Sequence, residues 1–260
     1  KYFANFKKIA FCEIKLYNIF EVKIIMKLIK RSYLDELIKI IGTPDIKVLT
    51  GVRRSGKSKL LELFSKYIKE NVDNYNIIDI NFNIPKFENL MEYHKLYNYV
   101  EENYIDGKPN FLLIDEVQMC EGFERAINGL HALEKYDIYI TGSNAFLLSS
   151  DLATLFTGRT YEIQVFPFSF KEYLEYFKLQ NIQEAFDKYI FEGGMSGANV
   201  YNEYKQKYNY INNVYNALII RDIKQKYNIQ NIELMESLTE FMMDNISNLT
   251  SYRSISNKLN

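Results

Sequence analysis

The octapeptide GVRRSGKS, residues 51–58, matches the pattern G-x-x-x-x-G-K-[ST] at every constrained position. It lies between a short apolar run, KVLT at 47–50, and residues 58–70, whose apolar positions recur at helical spacing. A strand that stops at a glycine-rich loop and reopens as a helix makes a phosphate cradle. The glycines let backbone N–H groups point inward, and the helix N-terminus adds a dipole that favours an anion. In that geometry Lys57 reaches the β- and γ-phosphates of a nucleotide and the Ser58 hydroxyl ligates Mg²⁺. A fortuitous glycine-rich turn is the competing explanation, and the strand–helix context argues against it.

Downstream, FLLIDE at 111–116 reads as a buried strand that delivers two carboxylates at its C-terminal end. In a parallel sheet that edge is where ligands bind. Asp115 is expected to hold Mg²⁺ through its water shell, and Glu116 to orient and activate a water for attack on the γ-phosphate. The alternative is a strand-end acidic pair that caps a helix or faces solvent. A further strand, DIYIT at 137–141, runs into Gly142, Ser143 and Asn144. Ser143 and Asn144 are both candidates to sense the γ-phosphate, or to cap the helix that follows. Arg159, between a helix and the strand at 161–165, is positioned to reach a neighbouring subunit's nucleotide, or to pair with Glu162. Arg53 and Arg54 flank the phosphate loop, where solvent is the default and nucleotide or partner the alternative.

Around these motifs, five short strands (47–50, 76–82, 111–114, 137–141 and 161–165) alternate with helical segments. The pattern predicts a parallel sheet covered on both faces, an α/β fold. From residue 169 the strands stop, and 170–179, 182–192, 202–227 and 233–245 all have helical character. The expected organisation is an extension at 1–25, an α/β core at 26–168, a helical unit at 169–246 and the beginning of another small unit at 247–260. Residues 1–25 either lie outside the domain or form an amphipathic helix on a partner or on the domain surface.

The chain has 260 residues, 47% hydrophobic and 25% charged, a globular composition that rules out disorder along its whole length. Its formal net charge of −1 gives no excess of positive charge toward nucleic acid or membrane, although a local patch stays open. Two cysteines, Cys12 and Cys120, make neither a disulfide framework nor a zinc site and suit a reducing, cytoplasmic setting. Two histidines, His94 and His131, argue against His-rich metal chemistry. Charged residues interrupt every apolar run in the first 25 positions, so no stretch approaches the ~20 residues that span a bilayer.

Together these segments resemble the bacterial and archaeal AAA-type P-loop ATPases often paired with a C-terminal domain of unknown function. The resemblance is carried by GVRRSGKS (51–58), LLIDEVQ (112–118), ITGSNAFLLSSDLATLFTGR (140–159) and VFPFSFKEYL (165–174). RSYL at 31–34, the Gly193–Gly194 pair and Arg221-Asp222-Ile223 support it. It implies ATP and Mg²⁺ as ligands, a sheet ordered 5-1-4-3-2, a helical lid and a winged-helix start that is truncated here. It also implies Lys57 and Ser58 as the Walker A pair, Asp115 and Glu116 as the Walker B pair, Ser143 and Asn144 at the sensor position, and Arg159 as arginine finger. The nucleotide-binding set expected on this basis is Gly51, Arg53, Arg54, Ser55, Gly56, Lys57, Ser58 and Lys59, with Arg31. One departure is visible: the family commonly has Pro two residues after its Gly-Gly pair, where this chain has Ser196.

The expected activity is Mg-dependent ATP hydrolysis coupled to an unidentified protein or DNA partner, with a homo-oligomer possible and no membrane association. A slow nucleotide-dependent switch and an inactive remnant are the alternatives. A GTPase is disfavoured because no Asn-Lys-x-Asp motif is present. A helicase motor needs a second core for which the chain has no room. Glu116 argues for water as acceptor over a small-molecule kinase.

Overall fold

The computed structural model describes residues 31–142, 154–218 and 223–259, with the side chains of 225 and 226 left aside. Residues 1–25, Ser143, Asn144, Arg221 and Asp222, to which roles were given above, lie outside the described residues.

Five strands, β1 (Ile46–Thr50), β2 (Asn76–Asn81), β3 (Asn110–Asp115), β4 (Tyr136–Thr141) and β5 (Thr160–Gln164), form one sheet in the order β2-β3-β4-β1-β5. Every neighbouring pair is parallel. This is the order 5-1-4-3-2 that the resemblance implies. Alternation within each strand sends side chains to two separate cores. Ile46, Val48, Ile80, Leu112, Ile114 and Ile140 pack on one face against Leu96 and Val100 of α3 (Tyr93–Glu102) and Ile127 and Leu130 of α4 (Phe123–Ala132). Leu49, Phe111, Leu113, Tyr139 and Ile163 pack on the other face against Leu37 of α1 (Ser32–Lys39) and Leu60, Phe64 and Ile68 of α2 (Lys57–Asn71). Burial on both faces explains why the central strands β1, β3 and β4 read as largely apolar runs. Lys47 departs from that pattern: it is fully buried in β1, where Asp137 and the Thr43 carbonyl, each 2.5 Å from Nζ, satisfy its charge.

Local structure adds detail and changes one expectation. Ser32 is the first residue of α1, and Arg31 in extended conformation holds the cap position. A 3-10 turn (Pro85–Leu90) precedes α3. Glu92 is extended between them, bridges to Glu121 and caps the N–H groups of His94 and Lys95. The long helix expected over 202–227 contains two described helices, α7 (Tyr204–Asn216) and α8 (Lys224–Tyr227), the latter closed by Asn228 in left-handed conformation.

After β5 the regular elements among the described residues are all helical. α5 (Phe170–Phe177) opens with a capping box between Ser169 and Glu172, and α6 (Ile182–Glu192), α7, α8, α9 (Ile232–Asp244) and α10 (Tyr252–Leu259) follow. Tyr173, fully buried, donates to Glu192, which also receives buried Lys207 at 2.7 Å, so α5, α6 and α7 share one polar knot. The Gly193–Gly194 pair has a mechanical cause. Gly193 ends α6 at φ +74°, and a Cβ on Gly194 would stand 2.3 Å from the Phe168 carbonyl, whose amide donates to Gly194 O at 2.7 Å. Ser196 then starts a 3-10 turn (Ser196–Val200), so that turn forms without the family's proline. No helix among the described residues is long and apolar enough to cross a membrane.

Candidate nucleotide site

The phosphate loop leaves β1 at its C-terminal end and enters α2. Gly51 is obligatory there: a Cβ would fall 2.2 Å from the Val165 carbonyl, and φ is +144°. Arg54 (φ +63°) and Gly56 (φ +104°) are left-handed, which turns the chain tightly enough to bring successive N–H groups together. Lys57 is buried, and its Nζ donates to the carbonyls of Gly51 at 2.8 Å and Val52 at 3.1 Å, so the ammonium stands over the loop.

Across from it, the strand ends form a polar row that register dictates. Asn81 pairs with Asp115 in the β2–β3 ladder, and the next position of the β3–β4 ladder beyond Ile114 and Ile140 holds Asp115 and Thr141. Asp115 Oδ1 accepts from the hydroxyls of Ser58 at 3.1 Å and Thr141, and Oδ2 accepts from Asn81 at 3.0 Å. Burial pushes the Asp115 carboxyl above the usual carboxylate range. The Thr141 and Ser58 hydrogen bonds oppose that shift, nearby Glu116 adds to it, and Lys57 opposes it. Glu116 is half-buried and left-handed (φ +58°), a conformation that costs a non-glycine residue about 1–3 kcal/mol. Its amide donates to Thr141 Oγ1 at 3.1 Å, and its carboxylate accepts from Gln118 Nε2.

The structure thus brings Lys57, Ser58, Asp115 and Glu116 to one sheet edge, as their spacing suggests. Thr141, Asn81 and Gln118 were not singled out. For the first two a signal existed: each is the polar last residue of an otherwise mostly apolar strand. Beside the loop lies a cavity of about 280 Å³ whose walls include Leu63, Phe168, Tyr176, Val200 and Tyr210, contributed largely by the helical part. Nothing local in the sequence marks these five residues. Exposed Arg54 stacks its guanidinium 5.0 Å from the Tyr210 ring, Arg53 is half-buried, Ser55 is buried, and exposed Lys59 pairs with Glu62 at 2.5 Å.

Arg31 and Arg159 sit differently. Arg31 lines the cavity, but its donors engage protein: Glu172, the Ser55 carbonyl and the Phe166 carbonyl. The Arg31 hydrogen bonds and the Ser169 amide outweigh burial and hold the Glu172 carboxyl below its ordinary value. Arg159 is exposed at the start of β5, where its carbonyl accepts from the Ile46 amide at 2.9 Å. That is the sheet edge opposite the phosphate loop. It lies about 13 Å away along β1 at ~3.3 Å per residue, too far to serve its own chain's phosphates. Glu162 accepts from Thr50 Oγ1 at 2.7 Å.

The donor set suits Mg²⁺, which takes one or two protein oxygens and keeps several waters. A hydroxyl and a carboxylate oxygen stand side by side, and among the described residues no group of three or more His, Cys, Asp or Glu side chains could hold a different metal.

A family model described as an AAA domain matches residues 43–174, and a second, described as a domain of unknown function, matches residues 183–260. An uncharacterized protein of Haemophilus influenzae is 32% identical over 236 residues, covering 88% of this chain and 59% of that protein. An uncharacterized protein of Methanocaldococcus jannaschii is 28% identical over 268 residues, covering 97% of this chain and 57% of that protein. The chain therefore spans less than two thirds of the length of these relatives. Among solved structures, AMPPCP-bound DnaA from Aquifex aeolicus aligns with 87% of this chain and 73% of its own (TM-score 0.43, 15% identity). The Aeropyrum pernix ORC1 protein in complex with DNA aligns with 92% of this chain and 79% of its own (TM-score 0.44, 8% identity).

Proposed function

This chain belongs to the AAA-domain family, and we propose that it binds ATP with Mg²⁺ and hydrolyses the β–γ phosphoanhydride, coupling turnover to a protein or nucleic-acid partner in the cytoplasm. The observation that carries this is the convergence of Lys57, Ser58, Asp115, Thr141 and Glu116 at the C-terminal edge of the sheet. The triphosphate lies on the N–H groups of residues 51–58, and the base enters the cavity walled by Leu63, Phe168, Tyr176, Val200 and Tyr210. Lys57 moves from the Gly51 and Val52 carbonyls to the phosphates, a change between acceptors that are all within reach. Ser58 and Asp115 would hold Mg²⁺, which neutralises phosphate charge when bound. Glu116 orients the attacking water and takes its proton, while the Thr141 hydroxyl ties Asp115 to the Glu116 backbone. Ser143 and Asn144, next in sequence after Gly142, are the proposed sensor of the γ-phosphate. The core at 26–168, the lid at 169–246 and the unit beginning at 247 are the parts through which turnover reaches a partner.

Arg159, at the opposite edge, acts on the nucleotide of a neighbouring copy. Steady-state Mg-ATP turnover per chain, measured across protein concentrations with Glu116→Gln as blank, tests both ideas. A per-chain rate that climbs with concentration, and falls by roughly 10³-fold in Arg159→Ala, is expected. A rate at the blank level at every concentration would overturn hydrolysis, and a concentration-independent rate would overturn the shared site.

A slow switch is the second reading, and one contact favours it. Gln118 donates to the carboxylate that must accept the water's proton, so it occupies an acceptor position the water needs. A basal rate stimulated by an added partner would distinguish the switch from a free-running ATPase.

Thr141 carries a pH prediction. Its hydroxyl stabilises the charged form of Asp115, so Thr141→Val moves an already raised carboxyl further up. The acid limb of the pH profile of kcat/KM then shifts to higher pH. An unmoved limb would separate Thr141 from Asp115.

A further inference from the structure

Arg31 and Glu172 are 141 residues apart in sequence and form a bidentate pair, Nε to Oε1 at 2.7 Å and Nη2 to Oε2 at 3.0 Å. Both are buried, at 4% and 8% exposure. The same guanidinium makes three further contacts, the longest from Nη2 to the Pro167 carbonyl at 3.4 Å. Nη1 donates to the Ser55 carbonyl in the phosphate loop at 2.8 Å, and Nη2 donates to the Phe166 carbonyl at the β5–α5 corner at 2.7 Å. Its faces are flanked by Tyr33, 4.9 Å away, and Phe168, 5.4 Å away. One planar fork therefore touches the loop, the corner and the first helix of the helical part.

The grip on Ser55 has a defined consequence. A peptide unit is planar, and no bond here is cis, so the Gly56 N–H points away from the Ser55 carbonyl. Holding that carbonyl outward fixes Gly56 N–H on the opposite side, where the loop's amides converge on a phosphate. Glu172 is the third residue of α5 and its carboxylate also receives the Ser169 amide at 2.9 Å, so it moves only with the helix. A buried ion pair resists separation, because either charge left alone is strongly destabilising. The guanidinium therefore follows α5, and the Ser55–Gly56 peptide follows the guanidinium.

We infer that Arg31 is a positioning residue that couples the placement of α5 to the orientation of the phosphate-loop amides, so that the lid regulates nucleotide affinity through the Arg31–Glu172 pair. This rests on the nucleotide-binding function proposed above. It also accounts for why Arg occupies a position where an ammonium with three donors could not meet both carboxylate oxygens and three separate carbonyls.

The test is hydrogen exchange of the whole chain with and without Mg-ATPγS, alongside its dissociation constant, in the parent, Arg31→Lys, Glu172→Gln and the double variant. Nucleotide should protect both 51–58 and 170–177 in the parent. In each single variant the dissociation constant should rise about tenfold, 51–58 should still be protected at saturation, and 170–177 should not respond. The double variant should lose no more than either single one, the sign of a shared link. Glu172→Gln keeps an acceptor for the Ser169 amide and serves by itself if Arg31→Lys does not fold. Protection of 170–177 that persists in the variants, or additive losses in the double variant, would overturn the coupling even if the parent binds nucleotide. A parent that binds no nucleotide would remove the function proposed above and this coupling with it.

Discussion

Lys57→Ala should abolish nucleotide binding at any practical concentration. The ammonium is held over the loop by two backbone carbonyls, and in the proposed complex it would donate charge-assisted hydrogen bonds to the β- and γ-phosphates. At about 1.5–3 kcal/mol each, losing two such bonds weakens binding by roughly 10²- to 10⁴-fold. The cleanest measurement is thermal. Mg-ATP at 100 times its dissociation constant stabilises the folded parent by about 2.7 kcal/mol and raises its Tm, because a ligand that binds only the native state must do so. The alanine variant should unfold cooperatively without nucleotide and show no shift with it. An equal shift in both proteins would remove Lys57 from the site.

Glu116→Gln should bind Mg-ATP as the parent does and lose about 10²- to 10⁴-fold in turnover, the usual contribution of a positioned general base. The amide keeps the size of the carboxylate but cannot take a proton at neutral pH. The left-handed backbone at 116 and the Thr141 contact are unaffected, because neither uses the side chain. Turnover at the parent's rate would assign the base elsewhere. Loss of binding together with turnover would make Glu116 part of the binding surface instead.

The fold and half of the site could be read from residues alone. A phosphate loop is a local device: its conformation depends on glycines and on the elements that flank it, all within twenty residues. The Asp115-Glu116 pair was equally legible, because an apolar run that ends in carboxylates places them at a strand terminus. Thr141 was visible as a strand end but not as Asp115's partner, since that pairing depends on the order and register of β3 and β4. Ser143 and Asn144, two and three residues further along, lie outside the described residues. Arg31 shows the limit most clearly. Its motif marked it as a nucleotide contact, while its partner Glu172 lies in another layer of the molecule.

What the sequence by itself determined is the set of short-range structures: five apolar strands, the helices between them, the phosphate loop, the capping box at Ser169 and the glycine pair after α6. Each is set by steric and hydrogen-bonding rules that act over a few residues. Only the tertiary structure decided which polar strand ends meet at Asp115, which aromatic side chains wall the cavity, and that Arg31 joins the loop to α5. It also put Arg159 at the far edge of the sheet from the phosphate loop. The physical reason is that these contacts close over long stretches of chain. They follow from how two apolar cores pack on a twisted sheet, and no local pattern of residues records which distant side chain that packing brings near.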